Sequence, residues 1–308
     1  MARSARLDTL AVVMVLALAG IFVVLASFAA PASAQKGSNF GNTCDVVEGT
    51  SFADPIYEPP RSMAHRHLFY GALDVVNADT ASTLRQRPEG ETTCNRKDNR
   101  SSYWHPTVYR NREMLPVYTG KALGDNTMYY RAGGIEDHSQ IQPFPRNFEM
   151  VMREDAPRSG DVKWGCTPQT LTQEVPGTCA SQQLSMRIQF PQCWDGVSVP
   201  DSANEPEAVV DPRSGACPEG YTTLPQITFR VEFVLPSEEV GKIRVTGMDP
   251  ETHEVGLQPV SAMHADFMNG WVQAEQTRLV EDCIKNVSDT ATSEEKPAYC
   301  RDPGNPAG

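Results

Sequence analysis

The stretch Pro225–Leu235, PQITFRVEFVL, alternates apolar and polar side chains along its whole length. Its apolar positions are Ile227, Phe229, Val231, Phe233 and Leu235, and its polar positions include Thr228, Arg230 and Glu232. Leu184–Phe190 repeats the pattern, with Leu184, Met186, Ile188 and Phe190 on one face and Ser185, Arg187 and Gln189 on the other. Residues two apart share a face of a strand, so both stretches predict half-buried strands of an antiparallel sheet.

Shorter runs bounded by turn residues predict further strands at Arg66–Tyr70, Thr107–Tyr109, Met128–Arg131 and Lys242–Thr246. Asn269–Asn286 predicts a helix, with Asn269 as its N-cap. The chain has no alternation of strands and helices that would indicate a parallel sheet. The sequence therefore predicts a mainly β, single-domain fold: an antiparallel sandwich or jelly-roll with long loops and a C-terminal helix.

The N-terminal segment, residues 1–34, predicts an export signal. Arg3 and Arg6 precede the apolar run Leu10–Ala30, and Ala32–Ala34 has the small-x-small form that signal peptidase cuts. The apolar run, about 20 residues long, also suffices to cross a bilayer, so an uncleaved membrane anchor is the alternative. Both interpretations place the rest of the chain outside the cytoplasm. Residues 35–54 predict a loose leader, 55–286 the folded domain, and 287–308 a mobile C-terminal tail.

All eight cysteines follow residue 34, and none forms a CxxC pair, which favours disulfides over a zinc module. Eight cysteines allow 105 pairings. Sequence proximity suggests Cys166–Cys179, Cys193–Cys217 and Cys283–Cys300, which leaves Cys44–Cys94. The net charge of −12 argues against a nucleic acid as partner and is compatible with a neutral partner such as a polysaccharide. The sequence therefore predicts a disulfide-stapled protein that is secreted or located at the cell envelope.

Two short motifs carry the candidate chemistry: MAHRHLFYG at Met63–Gly71 and His-Ala-Asp at 264–266. On a strand, His65 and His67 point to one face, as do His264 and Asp266. Neutral imidazoles on one face can bind a metal ion, and one of them can act as a general base. The structural alternative is that the two early histidines are ordinary polar residues on the wet face of a strand.

Three further alternatives concern the neighbouring motifs. Asp266 can orient His264 or cap the helix that follows. Asp195, next to Gly196, can form a tight turn or face the histidines as an acid, base or ligand. Tyr103 and Trp104 can stack on sugar rings along a cleft or pack in the core.

Several motifs occur together in one order: HRHLFYG at 65–71, TTC at 92–94, SSYWHPTVY at 101–109, FP at 144–145, FPQCWDG at 190–196, CP at 217–218, LP at 224–225 and HADFMNGW at 264–271. The set resembles the secreted "domain of unknown function 1996" family of actinobacteria and fungi, over about residues 55–285. Fusion of family members to carbohydrate-binding modules implies a glycan-associated setting, and the resemblance implies no established activity. Family members carry histidines after the CWDG motif; here Asp201–Ala208 has none, and Glu205 or Glu207 would stand in.

The leading hypothesis is a secreted, envelope-associated protein that engages a polysaccharide through a cleft. In that hypothesis His65, Tyr103 and Trp104 bind substrate; if the protein is a glycoside hydrolase, His67, Asp195, His264 and Asp266 are the catalytic candidates. The second hypothesis is a copper or zinc protein with His65, His67 and His264 as ligands and Asp266 completing the sphere. The third is a non-catalytic envelope interaction module.

Overall fold

The fold is taken from a computed structural model, which describes residues 37–301 except 48–49, 53, 57–64, 74–90, 119–125, 147, 154–160, 198–208, 250, 253 and 293. The predicted signal or anchor at residues 1–34 and the candidates Glu205 and Glu207 lie outside the described residues. Within the described ranges, no helix is long and apolar enough to cross a membrane.

The described residues form four antiparallel sheets. Their strands, in chain order, are β1 (Asn39–Thr43), β2 (His67–Gly71), β3 (Ser102–Pro106), β4 (Val108–Arg110), β5 (Glu113–Met114), β6 (Thr127–Arg131), β7 (Glu149–Arg153), β8 (Asp161–Gly165), β9 (Gln183–Gln189), β10 (Cys193–Trp194), β11 (Val209–Val210), β12 (Thr222–Thr223), β13 (Gln226–Val234), β14 (Ile243–Met248), β15 (Val255–Gln258) and β16 (His264–Met268). The helix α1 (Gln273–Val280) continues into a π-helical turn at Glu281–Lys285, and single 3₁₀ turns lie at His138–Gln140, Val260–Ala262 and Ala298–Cys300.

The largest sheet is built on the two alternating stretches of the sequence. Its order is β1-β6-β13-β9-β8, and β13 and β9 are the strands predicted at Pro225–Leu235 and Leu184–Phe190. In their register Phe229 lies opposite Ile188, so the apolar faces coincide. The apolar side chains of both strands are buried in the core, and the polar side chains lie on the opposite face, where Ser185, Thr228 and Glu232 are buried as well. We call this sheet the five-stranded sheet.

A second sheet, with the order β2-β3-β16-β7, faces the five-stranded sheet across an aromatic core. The ring of Tyr70 in β2 meets that of Phe229 in β13 with centroids 4.9 Å apart. Tyr130 of β6 and Phe267 of β16 make a similar contact. Two smaller sheets, β15-β14-β4-β5 and β11-β10-β12, complete the fold. The predicted mainly β, antiparallel architecture with a short C-terminal helix is confirmed.

The predicted loose leader, residues 35–54, instead supplies β1 of the five-stranded sheet. Phe40 is fully buried and stacks on Tyr130 with ring centroids 4.8 Å apart. The stretch NFGNT shows no strand pattern because Phe40 is its only large apolar residue, and one residue cannot show an alternation.

The described part of the predicted mobile tail, residues 287–301, also packs on the domain. The Lys296 Nζ donates to Asn39 Oδ1 at 3.1 Å, and the Arg96 guanidinium donates to the carbonyl oxygens of Tyr299 and Arg301. The acidic composition of the tail does not predict these contacts, because the tail contributes only one buried lysine and two backbone carbonyls to them.

The C-terminal helix begins later than the sequence predicts. Its N-cap is Val272, without a side-chain hydrogen bond, and the Asn269 Oδ1 accepts from the Trp271 N–H in the preceding turn. Asp266 lies inside β16 and therefore does not cap the helix.

Four disulfides join Cys44 to Cys94, Cys166 to Cys179, Cys193 to Cys217, and Cys283 to Cys300. These are the pairs that sequence proximity suggests. The first ties β1 to the loop before β3, and the last ties the π-helical turn to the C-terminal segment.

Replacing Phe40 by Leu tests whether the N-terminal segment contributes to the core. We expect the Phe40→Leu variant to lose about 1–2 kcal/mol of unfolding free energy, because a smaller side chain leaves a void against Tyr130 and Trp271. The matched control is Phe52→Leu, since Phe52 is 51% exposed, and we expect it to change stability by less than about 0.5 kcal/mol. Denaturant unfolding measures both. Equal effects of the two substitutions would contradict the packing of β1.

Candidate metal centre

Three neighbouring strands carry the candidate site on the face of their sheet that points away from the aromatic core. Trp104, in the middle of β3, lies opposite Phe69 of β2 and Asp266 of β16. Alternation along each strand therefore places these three side chains on one face, and it places Tyr103 and Phe267 on the core face. His67 and His264 come two residues before Phe69 and Asp266, so they share the outer face.

The three candidate imidazoles converge on this face. Ligand atoms of His65, His67 and His264 all lie within 4.8 Å of one another. The Nε2 atoms of His67 and His264 face each other at 3.3 Å. The His65 ring lies 4.3 Å from that of His67 and 4.9 Å from that of His264, centroid to centroid. Two motifs about 200 positions apart in the sequence thus form one cluster, as the sequence predicts.

Two carboxylates join the same cluster. Asp54, His67 and Asp266 also offer ligand atoms that lie within 4.8 Å of one another. The Asp266 Oδ2 is 3.8 Å from the His264 Nε2. Asp54 reaches the site because the segment before it pairs with the edge of β2: Ser51 and His67 exchange two backbone hydrogen bonds, at 2.8 and 3.2 Å. We call Asp54, His65, His67, His264 and Asp266 the histidine–carboxylate cluster.

Burial determines the electrostatics of the cluster. His67 and Asp266 are fully buried, and the side chain of His264 is the most accessible of the five, at 18%. Burial raises the pKa of Asp266 well above its usual value, and the negative charge of Asp54 raises it further. Burial lowers the pKa of His65 to about 4, so its imidazole is neutral at physiological pH. A neutral imidazole keeps the lone pair that a metal ion needs.

Two members of the cluster, Asp266 and His65, have buried polar atoms that no described protein group satisfies. Among the described residues, neither carboxylate oxygen of Asp266 has a hydrogen-bond partner, and neither does the Nδ1 of His65. Buried polar atoms without a partner are rare in folded proteins and cost free energy, most of all when the group is charged. The cluster therefore has the composition of a cation site: three imidazoles, of which His65 is neutral, beside the Asp266 carboxylate oxygens, which accept no hydrogen bond from the described residues.

The spacing of the two facing nitrogens matches metal coordination. Two imidazole nitrogens bound at 2.0–2.1 Å to one tetrahedral zinc ion would be separated by about 3.3 Å. The His67 and His264 Nε2 atoms are 3.3 Å apart. A direct hydrogen bond between two neutral imidazoles would account for the same distance, but it would leave the third imidazole and the Asp266 oxygens without a role.

Four sequence candidates, His65, His67, His264 and Asp266, are thus brought together, and Asp195 is not. The Asp195 Oδ1 accepts from the Val197 N–H at 2.9 Å, beside Gly196 at φ +82°. This is the turn alternative, and Asp195 is absent from both groups of converging ligand atoms among the described residues.

Tyr103 and Trp104, which the cleft hypothesis assigned to substrate binding, are both fully buried. Tyr103 packs in the aromatic core. Its hydroxyl forms a hydrogen bond with the Tyr130 hydroxyl and accepts one from the Asn99 side-chain amide. Trp104 stacks on Phe69 beneath the cluster, with ring centroids 5.5 Å apart. The assignment of either ring to sugar stacking was wrong, because both faces of β3 are covered.

Asp54 is the site residue that the sequence did not reveal. It lies in an Ala-Asp-Pro segment with no alternation and no neighbouring ligand type, within the stretch predicted as a loose leader. Its role follows only from the pairing of Ser51 with His67, which a local pattern does not show.

A family model described as "Domain of unknown function (DUF1996)" matches residues 54–271. The chain belongs to this family. The match begins at Asp54 and includes all five members of the histidine–carboxylate cluster. Neither a curated protein nor a solved structure matched the chain. Membership in this family and the four disulfides together fit an extracellular protein, because disulfides persist in oxidising compartments.

Proposed function

We propose that this domain is an extracellular metal-binding module, and that its histidine–carboxylate cluster holds one divalent zinc or copper ion. His65, His67 and His264 would supply nitrogen ligands, and Asp266 an oxygen ligand. The observation that supports this most is the 3.3 Å approach of two imidazole nitrogens beside a third imidazole and a buried carboxylate that lacks donors.

The ligand types favour zinc over copper. Three imidazoles and one carboxylate would supply an N₃O ligand set, and zinc prefers four-coordinate tetrahedral geometry. Copper(II) prefers square-planar or tetragonal arrangements, although imidazole also suits it. The carboxylate would partly neutralise the charge of the ion, which matters in a cluster this deeply buried.

The burial of the cluster favours a structural ion over a catalytic one. Catalytic zinc keeps a coordination position open to water or substrate, whereas structural zinc is enclosed by protein ligands. Here His264, at 18% side-chain exposure, is the most accessible of the five residues. The ion would link β16 to β2 and to His65 just before it, and its binding free energy would become folding free energy.

The glycoside hydrolase hypothesis has weaker support. Glycosidases place two carboxyl groups about 5–9.5 Å apart on either side of a bond in an open groove. Asp54 and Asp266 have oxygens within 4.8 Å of each other and are buried. A polysaccharide partner stays a prediction; Tyr103 and Trp104, the two rings that the cleft hypothesis needs, are buried.

A zinc titration of the purified, chelator-stripped chain tests the proposal. We expect one equivalent of zinc to bind, and the His67→Ala variant to bind at least about 100-fold more weakly, because His67 belongs to both groups of converging ligand atoms. Competition with a chromophoric chelator measures the affinity, and elemental analysis measures the stoichiometry. Copper(II), titrated in parallel, identifies the preferred metal.

The matched control is His138→Gln. His138 is a histidine outside the cluster, whose Nε2 lies 3.1 Å from Asp289. We expect its substitution to leave zinc affinity unchanged. Failure of the wild-type chain to bind zinc or copper, or an equal loss in both variants, would refute the proposal.

A further inference from the structure

A second polar cluster lies on the outer face of the five-stranded sheet, on the opposite side of the sandwich from the histidines. Lys163 of β8 lies opposite Arg187 of β9, and Arg187 lies opposite Arg230 of β13. Three cations therefore stand side by side across three strands. Like charges directly opposite one another destabilise a sheet, so this arrangement calls for a compensating charge.

Arg131 of β6 lies on the same face of the sheet, four residues along the strand from Thr127, which is the partner of Arg230 in the register. Its Cζ lies 4.9 Å from the centre of the Tyr129 ring, and the Cζ of Arg230 lies 5.6 Å from the same ring. The Tyr129 ring thus contacts two guanidinium groups. Burial lowers the pKa of Arg131, and the positive charges of Arg187 and Arg230 contribute to the lowering.

Lys296 brings another positive charge to this region. Its Nζ donates to Asn39 Oδ1 at 3.1 Å, and Asn39 is the partner of Arg131 in the register of β1 and β6. Burial, together with the charges of Arg131 and Arg301, lowers the pKa of Lys296 to about 8.

Lys163, Arg187 and Arg230 each lie near a carboxylate, whereas Arg131 has none among the described residues. Asp161 binds Lys163 at 3.0 Å and Arg187 at 3.3 Å, and Glu232 lies 3.7 Å from the Arg230 Nε while it accepts from Ser185. Among the described residues, Arg131 has no carboxylate within ion-pair distance, and its buried Nε has no hydrogen-bond partner. The chain as a whole carries a net charge of −12, so a local excess of cations does not follow from composition.

We propose that Arg131, Arg187 and Arg230 form a binding site for an oxyanion: a phosphate, sulfate or carboxylate group. A guanidinium presents a fork of N–H donors that matches two oxygens of such a group, and Tyr129 fixes the orientation of two of the three forks. The bound anion would supply the negative charge that Arg131 lacks. The group could be free or carried on an acidic polysaccharide, since the recognised chemistry is the same.

Titration of the full chain with inorganic phosphate, at constant ionic strength set with chloride, tests this site by calorimetry. We expect saturable binding that Arg131→Gln and Arg187→Gln each weaken by about tenfold or more. The control is Arg213→Gln, which removes the same charge from an exposed turn and is expected to bind phosphate as the wild type does. The side chain of Arg187 is 27% exposed, so we expect Arg187→Gln to fold. This variant alone tests the site if Arg131→Gln does not fold.

A parallel titration with polygalacturonate, a carboxylate-bearing polymer, and with neutral dextran separates the two sources of the anion. Arginine-dependent binding of phosphate supports a site for a free oxyanion. Arginine-dependent binding of polygalacturonate alone supports a site for a polymer-borne group. The proposal is overturned if neither ligand binds in an arginine-dependent way, or if the Arg213→Gln control loses as much affinity as the two site variants.

Discussion

Stripping the protein of divalent metal is expected to lower its melting temperature by about 10 °C. A ligand present at a thousand times its dissociation constant stabilises the folded state by about 4 kcal/mol. For a domain of this size, each kcal/mol corresponds to about 2–4 °C in melting temperature. Re-addition of zinc should restore the original value, and differential scanning calorimetry with and without a chelator measures the change.

The size of the effect follows from what the ion would connect. The proposed ligands come from residues 65–67 and 264–266, which are far apart in the sequence and meet at one end of the sheet β2-β3-β16-β7. None of the four disulfides joins these segments to one another. The ion would therefore provide a cross-link that the disulfides do not duplicate.

The His67→Ala variant separates this effect from any other action of the chelator. We expect the variant to melt near the temperature of the stripped wild type and to be insensitive to both chelator and zinc. His138→Gln should respond as the wild type does. A wild-type melting temperature that chelation leaves unchanged would contradict a structural ion.

The alternating strands were the most predictable part of the fold. β13 and β9 bury one face and leave the other polar, so their sequences carry the period of two directly. The disulfide pairs followed from proximity because each of three pairs closes a short segment. The His-x-His and His-x-Asp motifs identified most of the metal centre, since spacing alone places such residues on one face of a strand.

Other features depended on contacts that the local sequence does not show. All five residues of β3, Ser102–Pro106, are buried, so the strand gives no indication of which side faces the solvent. The sequence therefore does not distinguish a cleft position from a core position for Tyr103 and Trp104. Asp54 and Phe40 reach their positions through pairing with β2 and β6, and a partner strand distant in sequence leaves no local pattern.

The Asp266→Asn substitution is expected to have opposite effects on the metal-free and the metal-bound protein. The pKa of Asp266 is raised in the folded state by burial and by Asp54. A carboxyl group whose pKa rises on folding destabilises the protein as the pH rises above the pKa of the unfolded state, about 3.9. At pH 7 the metal-free Asn variant should therefore be more stable than the wild type, by about 1–3 kcal/mol. Near pH 3 the carboxyl group is protonated in both states, and the difference should vanish.

With zinc bound, the sign reverses. The carboxylate then faces a cation that compensates its burial, and a neutral amide is a poorer ligand, so the variant should bind zinc about 10- to 100-fold more weakly and melt below the wild type. Chemical unfolding at pH 3 and pH 7, with and without zinc, measures all four conditions. Asp195→Asn is the control, because its carboxylate serves a turn away from the cluster, and zinc should not alter its effect. If Asp266→Asn destabilised the protein equally with and without zinc, Asp266 would have only a packing role.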